Sequence, residues 1–202
     1  LPIRWTYESD FSYTNGWTPD GRIIYDTRAY ATLPDRQLVL INTENGAKER
    51  IPLSQASEAS FDSSGNTVYF VRPSYHGNVT KRYKGGTARQ IWKYISGTPE
   101  AVKLTTDYPG ESHHPMWYNA RVYFITDRDG IMNIWSMDEE GGDLRQHTEH
   151  EGFDVRYASL SEGNIIYQGF VMVKKQIEDF LSENGVKPVD ATGAFDPNQH
   201  EA

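Results

Sequence analysis

Short apolar runs of β-branched and aromatic residues recur along the chain, each led into by turn residues. DGRIIYDTR from Asp20, SGNTVYFVR from Ser64, NARVYFITDR from Asn119 and EGNIIYQ from Glu162 share one design, a turn that leads into a strand. Their tyrosines, Tyr25, Tyr69, Tyr123 and Tyr167, lie 44, 54 and 44 residues apart. One blade of a β-propeller takes roughly 40–45 residues. The long middle step fits an insertion at HGNVTKRYKGGT, His76 to Thr87.

Further strands repeat in phase with these. QLVLIN from Gln37, QIWKYI from Gln90 and NIWSMD from Asn133 carry bulky residues on alternating positions. AKERIPL from Ala47, EAVKLTT from Glu100 and DLRQHT from Asp143 follow Gly-containing turns, and segments such as EASF and HHPMW precede the tyrosine strands. Four strands per repeat make a propeller blade. LPIRWTYESDFSYTNGW lies over AVKLTTDYPGESHHPMW without a gap, Trp17 on Trp117. Leu1 to Tyr7 therefore reads as the outer strand of a preceding blade, and Val155 to Gln168 as the first two strands of a following one. The expected fold is mainly β: a partial β-propeller of three complete four-stranded blades between two partial ones, over residues 1–168. A β-sandwich is the alternative, but aromatics that recur at the blade spacing favour the propeller.

The period changes after Gln168. Phe170, Val173, Ile177, Phe180 and Leu181 recur at spacings of three and four, which predicts a C-terminal amphipathic helix. Asn184-Gly185 stops it and Pro188 follows. Such a stripe either packs on its own domain or docks on a partner. Residues 169–202 form a second expected region, helix and extended tail.

Composition narrows the functions. The 202 residues carry a net charge of −8, which disfavours a nucleic-acid partner. There is no cysteine, so disulfide, thiolate and Cys-ligated metal chemistry are excluded. No apolar run approaches the ~18 residues of a membrane span. The start LPIRWTYESD is not a signal peptide. It lacks an initiator Met and begins inside patterned sequence, which suggests processing or excision; the expected location is the cytoplasm.

RYKGGTARQIW, HPMW, YFITDRDGIMNIWSMD and FDVRYASLSEGNIIYQ resemble the N-terminal propeller of tricorn-type proteases and, more broadly, TolB-like propeller repeats. The resemblance implies a parent with two propellers, a PDZ-like domain and a C-terminal serine-protease core. This region would then gate or channel peptides toward catalytic domains that the chain lacks. From Gly169, the helix, GVKPVDATG and FDPNQHEA resemble a fragment of the nucleotide exchange factor GrpE, with Ala194-Phe195 where Pro-Phe is usual. The chain thus reads as a chimera joined near Gly169, and contact with Hsp70 through the tail is the second functional reading.

Lys81, Arg82 and Lys84 cluster in the inserted loop of an otherwise acidic chain. Arginine forks match carboxylates. The resemblance implies a basic pair that anchors a peptide's C-terminal carboxylate, and Lys81 and Arg82 are the residues it points to. A solvated basic loop is the simpler reading. No Gly-x-Ser-x-Gly elbow is present, and no catalytic residue is expected. An autonomous hydrolase is the least supported reading. YKGGT lacks phosphate-loop spacing. His113, His114, His147, Glu149 and His150 do not form a metal pattern, because adjacent strand residues point to opposite faces. No metal or cofactor is expected. TDRDG, Thr126 to Gly130, reads as an Asp-capped turn, and Trp17, Trp92, Trp117 and Trp135 as core. Open blade faces predict self-association.

Overall fold

The computed structural model describes residues 3–8, 10–32, 34–75, 82–161, 164–166 and 182. The chain separates into two units, Leu1–Ile166 and Tyr167–Ala202. The described strands all lie in the first; the amphipathic helix expected at 170–181 lies outside the described residues.

Three four-stranded antiparallel sheets follow one another, each with its strands side by side in chain order. Blade 1 is β1 (Ser12–Trp17), β2 (Ile23–Thr27), β3 (Gln37–Ile41) and β4 (Lys48–Arg50). Blade 2 is β5 (Ser57–Phe61), β6 (Thr67–Arg72), β7 (Gln90–Ile95) and β8 (Val102–Lys103). Blade 3 is β9 (Ser112–Tyr118), β10 (Arg121–Thr126), β11 (Asn133–Asp138) and β12 (Arg145–Gln146). A two-stranded sheet, β13 (Ser159–Ser161) with β14 (Asn164–Ile166), comes last. This is the expected partial propeller. The outer strands are short and β4, Lys-Glu-Arg, is wholly exposed, a composition that discourages edge-to-edge pairing.

The core lies between blades. Period-two alternation sends Val68 and Phe70 of β6 toward blade 1, where they meet Ile24, Leu38 and Leu40. Tyr69 and Ile91 point the other way and meet Val122, Phe124 and Met137 of blade 3. Each face thus buries only against its sequence neighbour, the energetic pattern of a repeat protein. Each first strand after β1 is preceded or opened by a backbone tie to the preceding blade. Ala56 N–H donates to Arg36 O (2.9 Å), Ser112 N–H to Arg89 O (2.9 Å) and Val155 N–H to Met132 O (2.8 Å).

Every first strand is bulged. The pairing jumps between Thr14 and Gly16 in blade 1, between Ser57 and Ser60 in blade 2, and between His113 and Met116 in blade 3. Counting from the bulge, Gly16 opposite Ile24 corresponds to Ser60 opposite Tyr69 and Met116 opposite Tyr123. Tyr25 is therefore one residue out of step with Tyr69 and Tyr123 and faces the opposite side. It packs with Val39, Ile41 and Trp5, and its hydroxyl donates to Glu8 Oε1 (2.9 Å).

Two further expectations are corrected. Residues 3–8 form no strand; they lie as irregular chain against blade 1. Trp5 is held there by side-chain packing, with its ring over the β3–β4 turn at Gly46. Glu8 gathers the hydroxyls of Tyr25 and Tyr30 and the Lys48 ammonium. Trp17 is 66% exposed rather than core. Its register equivalents, Phe61 and Trp117, pack against the neighbouring hydrophobic clusters. They are covered because a preceding blade lies over them, whereas none of the described strands precedes β1.

Candidate functional site

A strained residue sits at the bulges of β5 and β9 and two residues before β13. Glu58, His114 and Tyr157 take φ of +48°, +58° and +55°. Counting from the ties at Ala56, Ser112 and Val155, all three hold the same position. Left-handed backbone costs about 1 kcal/mol or more for such residues and persists where surroundings hold it. Two of the three side chains reach forward to the next inner strand. Glu58 Oε2 accepts the His114 N–H (2.9 Å), and His114 Nε2–H donates to Ala158 O (2.6 Å). In blade 1, Asn15 does the same, its Oδ1 accepting the Ala59 N–H (2.9 Å).

Charges gather around this seam. Arg89, just before β7, donates from Nε to Glu111 Oε2 (2.7 Å) and from Nη1 to Glu58 Oε1 (3.0 Å), and stacks over Tyr75. Arg36, just before β3, donates from Nη1 to Asp26 Oδ1 (2.9 Å) and stacks over Tyr13 at 4.1 Å. Burial alone would raise the Glu58 carboxyl. The His113 hydrogen bond and the His113, Arg89 and His114 side chains outweigh it and hold Glu58 far below the usual carboxylate range. At Asp26 burial wins and the carboxyl is pushed up despite Asn15 and Arg36. Burial, with Arg89 and His113 adding to it, lowers the His114 imidazole. Its Nε2 faces a carbonyl oxygen, Ala158 O, and so carries a proton and donates.

The network runs outward to the inserted loop. Glu111 N–H donates to Asp127 Oδ1 (3.1 Å), and the Tyr108 hydroxyl donates to the same oxygen (2.9 Å). Asp127 Oδ2 accepts the Arg82 N–H (3.1 Å). The expected TDRDG turn is formed, with Gly130 N–H donating to Asp127 O (2.8 Å) and Gly130 at φ +106°. Arg82 Nε donates to Gly130 O (3.0 Å). That single tether orients the guanidinium, and among the described residues its Nη groups have no partner. Lys81 lies outside the described residues, so its position beside Arg82 is fixed by sequence alone. Lys84 sits over the Tyr108 ring at 5.6 Å.

Sequence reasoning missed Glu58, Glu111, Arg89 and Asp26. The Arg-Gln pair before the third strand of blades 1 and 2 (Arg36-Gln37, Arg89-Gln90) was the available signal. His113 and His114 serve Glu58 and Ala158. Among the described residues, no group of three or more His, Asp or Glu is placed to hold a metal ion. No helix of the described residues is long and apolar enough to cross a membrane.

Successive four-stranded blades, packed face on face and tied at their first strands, define a β-propeller. The chain belongs to the family described as the tricorn protease N-terminal beta propeller domain, whose family model matches residues 1–176 and so runs past Gly169. Tricorn protease homolog 1 of Streptomyces coelicolor is 29% identical over 154 residues, 75% of this chain and 14% of that protein. Tricorn protease of Thermoplasma volcanium is 29% identical over 194 residues, 95% of this chain and 18% of its own length. The chain thus spans less than a fifth of these relatives. The crystal structure of the tricorn protease superposes with a TM-score of 0.63 at 28% identity, covering 73% of this chain and 14% of that one. TolB of Acinetobacter baumannii shares the fold, with a TM-score of 0.59 at 20% identity over 76% of this chain and 36% of its own. A short match to Protein GrpE of Brachyspira hyodysenteriae is 43% identical over 42 residues, 20% of this chain and 21% of that protein.

Proposed function

We propose that this chain is a non-catalytic propeller segment that handles peptides for a protease core carried elsewhere in the parent protein. The Arg82 guanidinium receives the peptide's C-terminal carboxylate, and Lys81 adds charge beside it. The observation that carries this reading is the tether of Arg82: Nε is fixed on Gly130 O, and the Nη groups have no partner among the described residues. A pre-oriented fork of this kind suits a planar carboxylate. Family membership supports the protease setting.

The test compares a peptide with a free C-terminus against its C-terminal amide by fluorescence anisotropy. The free acid binds the wild-type chain more tightly, and Arg82→Glu weakens that binding by about tenfold, ~1.4 kcal/mol, while leaving the amide unchanged. Equal affinity of the variant and the wild type for the acid rejects the role.

The GrpE match supports a second reading, contact of residues 169–202 with an Hsp70 chaperone. Capture of purified Hsp70 by the full chain, lost on truncation after Gln168, is its expected result; no capture by the full chain rejects it.

A further inference from the structure

Arg82 is fastened twice to one turn of the neighbouring blade. It lies in the β6–β7 connection of blade 2, whereas Asp127 and Gly130 lie in the β10–β11 connection of blade 3. Asp127 Oδ2 accepts the Arg82 backbone N–H (3.1 Å), and Gly130 O accepts the Arg82 Nε–H (3.0 Å). The two bonds act on different parts of the residue. The first holds its backbone, which stands at φ +57°, in the left-handed region that arginine rarely adopts. Such strain persists where the surroundings hold it, and it gathers at functional positions. The second holds the side chain of an exposed residue. Fastening the loop needs the first bond alone. The second orders a long side chain at a cost in rotamer entropy that loop fastening does not require.

The turn is shaped to present both acceptors. Asp127 is 4% exposed. The Tyr108 hydroxyl and the Glu111 N–H both donate to its Oδ1, which leaves Oδ2 for Arg82. Gly130 has no side chain where the guanidinium lies: a Cβ there would stand 3.1 Å from Arg82 Nη2 and 3.5 Å from Cζ and Nε. Its φ of +106° is also one that residues with side chains rarely adopt. The planar guanidinium therefore rests over a bare glycine with Nε occupied. The edge that remains is the Nη1–Nη2 pair, two donors in the geometry that meets a carboxylate end-on.

We propose that Asp127 and Gly130 are positioning residues for Arg82: the turn of blade 3 sets the guanidinium so that it takes a carboxylate through Nη1 and Nη2, with Nε withheld from the ligand. This rests on the carboxylate reading of Arg82 and adds two things to it. The receptor is assembled across two adjacent blades, and its preference for a carboxylate comes from the fixed fork, not from positive charge alone.

The test takes two readouts on the full chain. The first needs no peptide. NMR of protein labelled with nitrogen-15 arginine follows the Arg82 Nε–H, identified by its loss in Arg82→Lys. In the wild type it exchanges with water at least about tenfold more slowly than in free arginine. Gly130→Ala and Asp127→Asn each remove that protection, the first by crowding the guanidinium and the second by setting an amide NH2 against a donor. The second readout is the affinity for a peptide acid and for its amide. Gly130→Ala, Asp127→Asn and Arg82→Lys each weaken the acid by about tenfold and leave the amide unchanged. Arg82→Lys keeps the charge at an exposed position and removes the fork, so it carries the test even where a turn variant loses its fold. An unprotected Nε–H in the wild type overturns the proposal, as does acid affinity that survives both turn variants or Arg82→Lys. A wild type that binds acid and amide alike, yet has a protected Nε–H that both turn variants lose, upholds the positioning and rejects the carboxylate reading instead.

Discussion

At the residue scale, the seam between blades 2 and 3 rests on Glu58. Its carboxylate receives the His114 N–H and the Arg89 guanidinium, and its side chain is 20% exposed. Removing Glu58 strands the His114 N–H and takes away one of the two carboxylates of Arg89, Glu111 remaining, which costs a few kcal/mol. Glu58→Ala is expected to lower unfolding free energy by about 3 kcal/mol in urea, whereas Glu58→Gln keeps an acceptor for the His114 N–H and loses less. Equal losses for the two would mean that shape, not the acceptor, matters there. Glu8 supplies a pH dependence. Burial would raise its carboxyl, but hydrogen bonds from Lys48, Tyr25 and Tyr30 prevail and bring it from 4.5 to about 2. A carboxyl lowered on folding stabilises the protein above its unfolded value. That contribution is lost as pH falls from about 4.5 toward 2. Melting temperature measured across this window should fall less steeply for Glu8→Gln than for the wild type.

At the scale of strands and blades, side-chain clamps repeat with the fold. In blade 2 the Ile91 N–H donates to Thr105 Oγ1 (3.1 Å), which donates to Gln90 Oε1 (2.9 Å). In blade 3 the Ile134 N–H donates to Thr148 Oγ1 (2.9 Å), which donates to Asn133 Oδ1 (2.9 Å). Thr105 is buried, so Thr105→Val keeps the volume but strands a donor and an acceptor; the expected loss is about 1–3 kcal/mol by denaturant titration. Such clamps were invisible in sequence because Gln and Asn serve equally and the threonines lie many residues away. The strands themselves were legible, because alternation and turn residues are local. Their register was not. A bulge adds one residue to each first strand, and a period counted on tyrosines cannot detect a one-residue slip, so Tyr25 was grouped with Tyr69 and Tyr123 although it faces the other way. Arg82 stood out as a cation in an acidic chain. Glu58 did not, because its partners come from two other strands and its left-handed backbone is not marked by glycine.

At the scale of the whole array, stability follows position in the row of blades. A repeat that contacts only its neighbours draws its protection from the interfaces on its two faces. Blade 2 has both faces covered, by Ile24, Leu38 and Leu40 on one side and by Val122, Phe124 and Met137 on the other. Among the described residues, blade 1 meets another blade on one face, while Trp5 packs on the other against Tyr25, Val39 and Ile41. The β13–β14 pair consists of two three-residue strands, too small to be stable without a neighbour. Opening should therefore begin at the ends and reach blade 2 last. Amide hydrogen exchange read by mass spectrometry is expected to show the slowest exchange at Val68 to Val71 in β6. Blade 1 should exchange faster, and Ser159 to Ile166 fastest among the strands.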